Sequence, residues 1–181
     1  MNQHFNLQIP GAQSDDGQIE VAAPYDGTLI ATVTAADADA VELALSTADR
    51  LYQDRDLWLK PGKRMEILKK TASIMSERAE ELALEAAREG GKPLIDSRAE
   101  ETRAIDGVRN CIEVLRTQAG EEIPMNLNPA SEGKFAVTRH EPIGIVVAVS
   151  AFNHPLNLIV HQVGPAVATG CPVIIKPAED T

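Results

Sequence analysis

The strongest constraint on the fold lies near the end of the chain, where two short apolar runs flank a segment with helical features. The first run reads IGIVVAVS and the second PVIIK, and both are dominated by valine and isoleucine. Short continuous apolar runs of this kind are typical of parallel strands buried on both faces. Between them, Pro155 suits the first turn of a helix and Gly170 suits its end. The pattern predicts a strand, helix, strand unit with a right-handed crossover, and therefore an α/β fold.

The first half of the chain predicts a hairpin followed by helices. Residues 19–33 predict two short strands, because the turn-forming stretch PYDG separates two β-rich runs. Thr34 and Asp37 have the spacing of a capping box and predict the start of a helix. A longer helical stripe follows, with room for a break near Ser76. Its apolar members recur at steps of three and four residues: Met65, Leu68, Ala72, Met75, Ala79, Leu82 and Ala86.

The middle of the chain predicts one more helix and an antiparallel ribbon. Ser97 and Glu100 form a second capping-box pattern, which predicts a helix that starts there and ends before Gly120. The stretches EIPMNL and FAVTRH then predict two strands of a ribbon, because the loop-forming NPASEG separates them. We expect that loop to be loose and exposed.

Charge and cysteine content exclude several classes of protein. The chain carries 17 basic and 27 acidic side chains, and the net charge of −10 disfavours nucleic acid or an anionic membrane as a partner. The N-terminal stretch lacks an export or organelle signal, and no apolar run reaches membrane-spanning length. Cys111 and Cys171 lie far apart, and His154 and His161 lack a third ligand, so we predict no disulfide framework and no metal site. These features favour a cytoplasmic protein.

Unusual polar residues follow both predicted strands of the last unit. Ligands of open parallel sheets bind where the strands end, and here those ends are SAFNH and KPAED. Asn153 could direct its side-chain amide at a developing oxyanion, or it could serve as a helix N-cap or turn residue. Ser150 could contact a ligand or be a solvated loop hydroxyl. The residues alone leave these alternatives open.

Lys176 and Glu179 follow the second strand and raise a similar choice. An acidic residue after a strand can accept hydrogen bonds from a nucleotide ribose, and a carboxylate there would repel a 2′-phosphate. The alternative is an ordinary ion pair on the protein surface.

The run EPIGIVVAVSAFNHPLNLIVHQVGPAVATGCPVIIKPAED closely resembles the strand, helix, strand unit of the NAD(P)-dependent aldehyde dehydrogenase superfamily. The resemblance continues through the earlier segments GGKPLIDSRAEE, KPGKRMEILKK and IEVAAPYDGTLIATV, and so covers nearly all of the chain after about residue 18. It implies a partial Rossmann-like cofactor domain with an antiparallel oligomerisation ribbon.

The resemblance also implies roles for residues of the first strand end. Asn153 would be the side-chain donor of the oxyanion hole, where it holds the oxygen of the thiohemiacetal and thioester. Phe152 would stand beside the nicotinamide end of the cofactor. Val149, Ser150 and Ala151 would contribute backbone contacts to the cofactor.

At the second strand end, the resemblance implies that Lys176 and Glu179 hold the adenosine ribose. Glutamate there implies a preference for NAD, although some relatives accept NADP as well. The expected partners are a small aldehyde and further copies of the chain, in a homodimer or homotetramer. The segment FNHPLNL resembles the corresponding segment in the branch of the superfamily that acts on small, often anionic aldehydes, such as lactaldehyde or phosphorylated or phosphonate substrates.

The implied organisation has four parts. Residues 1–18 form an N-terminal arm, 19–120 the first part of the cofactor-binding domain, 121–140 the oligomerisation ribbon, and 141–181 the first strand, helix, strand unit. In this family the nucleophilic cysteine, the deacylating glutamate and a glycine-bearing turn follow the KPAE element, so we expect residues 1–181 to be inactive alone. Two rival hypotheses are a short nucleotide-binding or assembly module, and a reductase or acylating enzyme of the same superfamily.

Overall fold

The N-terminal hairpin is part of a small three-stranded sheet. A computed structural model describes residues 3–13 and 17–179. In it, β1 (Gln3–Phe5), β2 (Gln18–Ala22) and β3 (Leu29–Thr34) are ordered β1-β3-β2. The β2–β3 pair is the predicted antiparallel hairpin, and β1 adds to β3 in parallel. Part of the predicted N-terminal arm therefore joins this sheet, while residues 1–2 and 14–16 lie outside the described residues.

Helices form most of the rest of the described chain. They are α1 (Ala38–Gln53), α2 (Pro61–Glu77), α3 (Ala79–Gly90), α4 (Leu94–Thr117) and α5 (Pro155–Thr169), with a 3₁₀ turn at Arg55–Leu57. The predicted break in the long helical stripe is confirmed, because α2 and α3 meet at Arg78.

The cap of α1 differs from the prediction. Asp37 is the N-cap residue, and its Oδ1 accepts a hydrogen bond from Ala40 N at 2.7 Å. Thr34 instead ends β3. Asp37 satisfies one of the free N–H groups of the first turn, so the helix begins three residues later than a Thr34 cap would place it.

The second predicted capping box is wrong. Helix α4 begins at Leu94 after Pro93, so Ser97 and Glu100 lie inside the helix, and both are buried. Proline fixes the backbone angle that the residue before a helix commonly adopts, so a helix can begin here without a Ser or Thr cap.

The core lies between α2, α4 and α5. Its members are the buried apolar side chains of one face of each helix: Leu68, Ala72, Met75, Ala104, Ile105, Val108, Ile112, Val160 and Ala168. Apolar burial at this spacing is what holds helices together in water, since each short helix is marginal alone. The packing fixes α5 against α4, and with it the loop that precedes α5.

The ribbon is present but short. Strands β4 (Glu122–Ile123) and β5 (Ala136–Val137) pair antiparallel. The loop between them is exposed as predicted, although it is not loose. Asn126 takes a left-handed conformation with φ 62°, and its Oδ1 accepts a hydrogen bond from Gly133 N at 2.6 Å.

The last unit matches the predicted topology. Strands β6 (Val146–Val149) and β7 (Val173–Lys176) are parallel neighbours, joined by α5. The expectation that the first strand is buried on both faces is wrong for the described chain. Ala148 is buried against the helices, whereas Val147 and Val149 are 59% and 60% exposed on the opposite face.

Gly170 is confirmed as the end of α5, and it yields a stability prediction. It takes φ 87°, and a methyl group there would lie 3.0 Å from Arg64 Nη1 and 3.3 Å from Pro142 Cγ. We expect Gly170→Ala to lower the free energy of unfolding by about 1–2 kcal/mol, because alanine is strained in this conformation and crowded as well. Urea unfolding measures the change.

Gly62→Ala is the matched control for that substitution. Gly62 lies in α2, and a methyl group there meets no atom within 4 Å. We expect it to leave stability unchanged or raise it by up to about 1 kcal/mol, since alanine favours helices. Equal effects of the two substitutions would contradict the assignment of strain to Gly170.

Candidate functional site

The two strand ends form one rim of the β6–β7 sheet. Beyond the last paired residues, Ser150 N donates a hydrogen bond to Lys176 O at 3.0 Å, so the strand pairing continues by one residue. The loop 151–154 follows on one side and residues 177–179 on the other. Every site residue predicted from the sequence therefore lies on this rim or at the end of the strand below it.

Asn153 does not cap α5. The N-cap residue is His154, which makes no side-chain capping hydrogen bond. Asn153 is exposed, and no hydrogen bond involves its side chain in the part of the chain that the structure describes. The capping alternative is therefore wrong, and the side-chain amide is free to donate to a group outside the described residues.

The cap of α5 comes from a different helix. Glu100 of α4 accepts a hydrogen bond through Oε1 from Asn157 N at 2.9 Å. Its Oε2 pairs with Lys92 Nζ and lies 3.5 Å from His154 Nδ1. A carboxylate at a helix N-terminus satisfies a free N–H group and interacts favourably with the helix dipole. The capping-box pattern predicts a role for Glu100 only at the start of its own helix, and no sequence pattern pointed to Lys92.

Glu101 is buried beside Glu100 without a partner. It is 3% exposed, and neither of its carboxylate oxygens has a hydrogen-bond partner among the described residues. Burial, together with the neighbouring charge of Glu100, raises the pKa of Glu101 to about 7. A sequence signal existed, because Glu101 is in phase with the core positions Ile105, Val108 and Ile112 of the same helix.

The predicted ribose-binding residues contact each other. Lys176 Nζ donates to Glu179 Oε1 at 3.0 Å, and both side chains are more than half exposed. This is the surface ion pair weighed as the alternative, and exposed pairs of this kind contribute little stability. Glu179 also shares a depression of about 400 Å³ with Phe152, lined further by hairpin residues such as Glu20 and Pro24.

The backbone of the first strand end is partly occupied. Gln162 of α5 donates through Nε2 to Val149 O at 3.0 Å. The Ser150 hydroxyl contacts the Ala151 carbonyl at 3.4 Å. In this loop, the exposed Phe152 ring and the exposed Asn153 side chain are therefore available to contact a ligand.

Neither cysteine lies at this rim. Cys111 is a partly buried residue of α4, as predicted, and burial raises the pKa of its thiol. Cys171 is buried between α5 and the start of β7, at the opposite end of that strand. A nucleophilic cysteine needs an accessible thiolate, and neither residue fits that requirement.

Comparison with known proteins identifies the family. The family model described as the aldehyde dehydrogenase family matches residues 12–181. The chain belongs to the aldehyde dehydrogenase family. It is 35% identical over 178 residues to 3-sulfolactaldehyde dehydrogenase of Priestia megaterium. The aligned region covers 98% of this chain and 37% of that relative.

Two solved structures of aldehyde dehydrogenases share the fold. Aldehyde dehydrogenase 21 of Physcomitrella patens, in complex with the reaction product succinate, matches with a TM-score of 0.89 and 30% identity over 100% of this chain and 38% of its own. Glyceraldehyde-3-phosphate dehydrogenase GapN of Methanocaldococcus jannaschii, complexed with NADP, matches with a TM-score of 0.80 and 31% identity. This match covers 92% of this chain and 35% of that structure's chain. These matches confirm the predicted α/β class with a partial Rossmann-like domain of the aldehyde dehydrogenase fold.

The chain spans little more than a third of the length of these relatives. Within the described residues, none of the helices combines the length and apolarity needed to cross a membrane.

Proposed function

We propose that this chain supplies the oxyanion donor and the first strand, helix, strand unit of the cofactor domain of an NAD(P)-dependent aldehyde dehydrogenase, which oxidises an aldehyde to a carboxylic acid. The observation that carries this proposal is the exposed Asn153 side chain, which makes no hydrogen bond within the described residues and lies on the rim where both strands end. Family membership supplies the reaction class. The four-part organisation implied by the resemblance belongs to the same proposal.

The chemistry assigned to Asn153 is electrostatic. As a nucleophile adds to the aldehyde carbon, negative charge develops on the carbonyl oxygen, and the Asn153 amide donates a hydrogen bond to it. A donor already held in place stabilises that charge without reorganisation at the moment of reaction. Because the side chain is not committed to the helix cap, it is available for this role.

The rim residues fit a nucleotide cofactor by their chemistry. An exposed ammonium and an exposed carboxylate, Lys176 and Glu179, can donate to and accept from the two hydroxyls of a ribose. Phe152 offers an exposed aromatic surface in the same depression as Glu179, and Val149, Ser150 and Ala151 precede it in the chain at the end of β6. NAD, when bound, accepts the hydride from the reacting carbon.

Glu179 supports NAD over NADP, and its substitution tests that role. In the complete product of the gene that encodes this chain, we expect Glu179→Gln to lower the preference for NAD roughly tenfold, because it removes a charge that repels a 2′-phosphate. The ratio of kcat/KM with NAD to kcat/KM with NADP measures the change. Glu132→Gln, on the exposed ribbon loop, is the control and should leave the ratio unchanged. An unaltered ratio in Glu179→Gln would contradict the ribose assignment.

The proposed substrate is a small anionic aldehyde. The relative from Priestia megaterium is named for 3-sulfolactaldehyde, and the structural neighbour GapN for glyceraldehyde 3-phosphate. Both names describe short aldehydes that carry an acidic group. The segment FNHPLNL of this chain supports the same branch.

The ribbon supports assembly with further copies of the chain. Phe135 and Val137 are 74% and 61% exposed, on or next to β5. Two-residue strands with exposed apolar side chains are marginal alone and gain stability by pairing with another chain. We propose a homodimer or homotetramer, formed through this ribbon.

An activity assay tests the proposal. The complete gene product, incubated with NAD and a small anionic aldehyde, should form NADH, which is followed by its absorbance. Residues 1–181 alone should form none, because neither Cys111 nor Cys171 fits a nucleophile. Turnover by residues 1–181 would contradict the proposal that the nucleophilic cysteine follows the KPAE element in the sequence. Nucleotide binding without turnover by the complete product would favour the binding-module hypothesis.

A further inference from the structure

We propose that Glu100, with Lys92, is a positioning residue that holds the loop of Asn153 in the geometry from which its side chain reaches the reacting oxygen. The proposal rests on the proposed function of Asn153 as an oxyanion donor. The ion pair joins Lys92, in the loop between α3 and α4, to Glu100 of α4.

The N-terminus of α5 is capped by a residue of another helix. Helix α5 begins at Pro155, which has no N–H group, and His154 provides no side-chain cap. Glu100 Oε1 instead accepts from Asn157 N at 2.9 Å, the contact that a Ser or Asp N-cap normally makes within its own helix. The start of α5 is therefore tied to α4 by a side-chain hydrogen bond.

The ion pair also contacts the loop that carries Asn153. Lys92 Nζ pairs with Glu100 Oε2 and also donates to Asn153 O at 3.4 Å. Among the described residues, this is the only hydrogen bond made by Asn153. The ion pair therefore restrains the peptide group from which the Asn153 side chain projects.

The ion pair of Glu100 and Lys92 is largely buried. The side chains of Glu100 and Lys92 are 1% and 14% exposed, whereas ordinary surface pairs such as Glu80–Arg98 are more than half exposed. Desolvating two charges costs more than their attraction commonly returns, so a buried pair is weak evidence of a stabilising role. Its contacts with Asn153, His154 and Asn157 point instead to positioning of the rim.

Hydrogen exchange tests the contact independently of activity. In the complete gene product carrying Glu100→Ala, amide exchange measured on peptides that cover 151–158 should accelerate at least about tenfold, because the Asn157 amide loses its acceptor. Peptides from the second half of α4 should be unchanged. Glu113→Gln, an exposed position on the same helix, is the control and should alter neither region. Unchanged exchange over 151–158 in Glu100→Ala would overturn the proposal.

A double-mutant cycle tests the route through Asn153. Glu100→Gln keeps an oxygen that can accept from Asn157 N but loses the negative charge that pairs with Lys92. This milder substitution can be used if the Glu100→Ala protein fails to fold. We expect Glu100→Gln to lower kcat about tenfold with little change in KM, and to lower it by less than about twofold in an Asn153→Ala background. Equal losses in both backgrounds would show a purely structural role and overturn the proposal. If the gene product oxidises no aldehyde, the proposed function fails, while the exchange measurement still decides whether Glu100 holds the loop.

Discussion

Replacing Asn153 with alanine in the complete gene product should lower kcat by about 10²–10³, with a change of less than about threefold in KM for the aldehyde. The oxygen of the substrate carries little charge before attack and a full charge after it, so the lost hydrogen bond acts mainly on the transition state. The exposed side chain makes no hydrogen bond within the described residues, so its removal costs the fold little. Initial rates at saturating cofactor measure both constants.

Asn110→Ala is the control for this prediction. Asn110 is another exposed asparagine, on α4 and away from the rim, and its side-chain amide lies 3.5 Å from Asp106. Its removal should leave kcat unchanged. A kcat for Asn153→Ala within about threefold of the parent protein would contradict the oxyanion role, because a lost donor costs far more than that.

Glu101→Gln should stabilise the protein and remove part of its pH dependence. The pKa of Glu101 is about 7 in the folded chain, above the 4.5 of a free glutamate. Between these values the folded state binds more protons than the unfolded state, so the free energy of unfolding falls as pH rises. Below pH 4.5 the carboxyl is protonated in both states and burying it costs no charge. Above pH 7 the buried carboxylate lowers the free energy of unfolding by its full amount. We expect the substitution to recover on the order of 2–3 kcal/mol at pH 8, because it removes a buried, unpaired charge.

The difference between the parent protein and Glu101→Gln is the quantity to measure. Glu80, Glu81 and Glu141 have pKa values lowered by arginine partners, and these groups change stability in the opposite direction. They cancel in the difference, which should grow from pH 4.5 to pH 7 and then level off. Glu42→Gln, on the exposed side of α1, should follow the parent curve. A flat difference for Glu101→Gln would contradict a buried charged carboxylate at this position.

The elements of the fold were predictable because apolar periodicity and strong breakers agreed. The stop at Gly90 and Gly91, the start at Pro155 and the end at Gly170 each rest on backbone geometry that only a few residues favour. The cap assignments failed at Thr34 and at Ser97 because a capping-box pattern is local, while the actual N-cap depends on where the chain enters the helix.

The site was predictable only in part. The positions of Asn153 and Glu179 follow from the rule that ligands bind where parallel strands end, so the rim could be found from sequence order. Glu100 could not be placed, because its partners on Lys92 and α5 lie 8 and 57 positions away in the chain, and their meeting depends on helix packing. The exposure of Val147 was also missed, because an apolar run does not reveal which elements cover each face.

The most direct test of the central claim is the identity of the products. The complete gene product is incubated with NAD and a small anionic aldehyde, in the presence and absence of coenzyme A, and NADH and the free carboxylic acid are quantified together. We expect equal amounts of NADH and free acid, formed at the same rate with and without coenzyme A. Product formation that requires coenzyme A would support the acylating rival, and the absence of NADH with every aldehyde tried would contradict the claim that this chain is part of an aldehyde-oxidising enzyme.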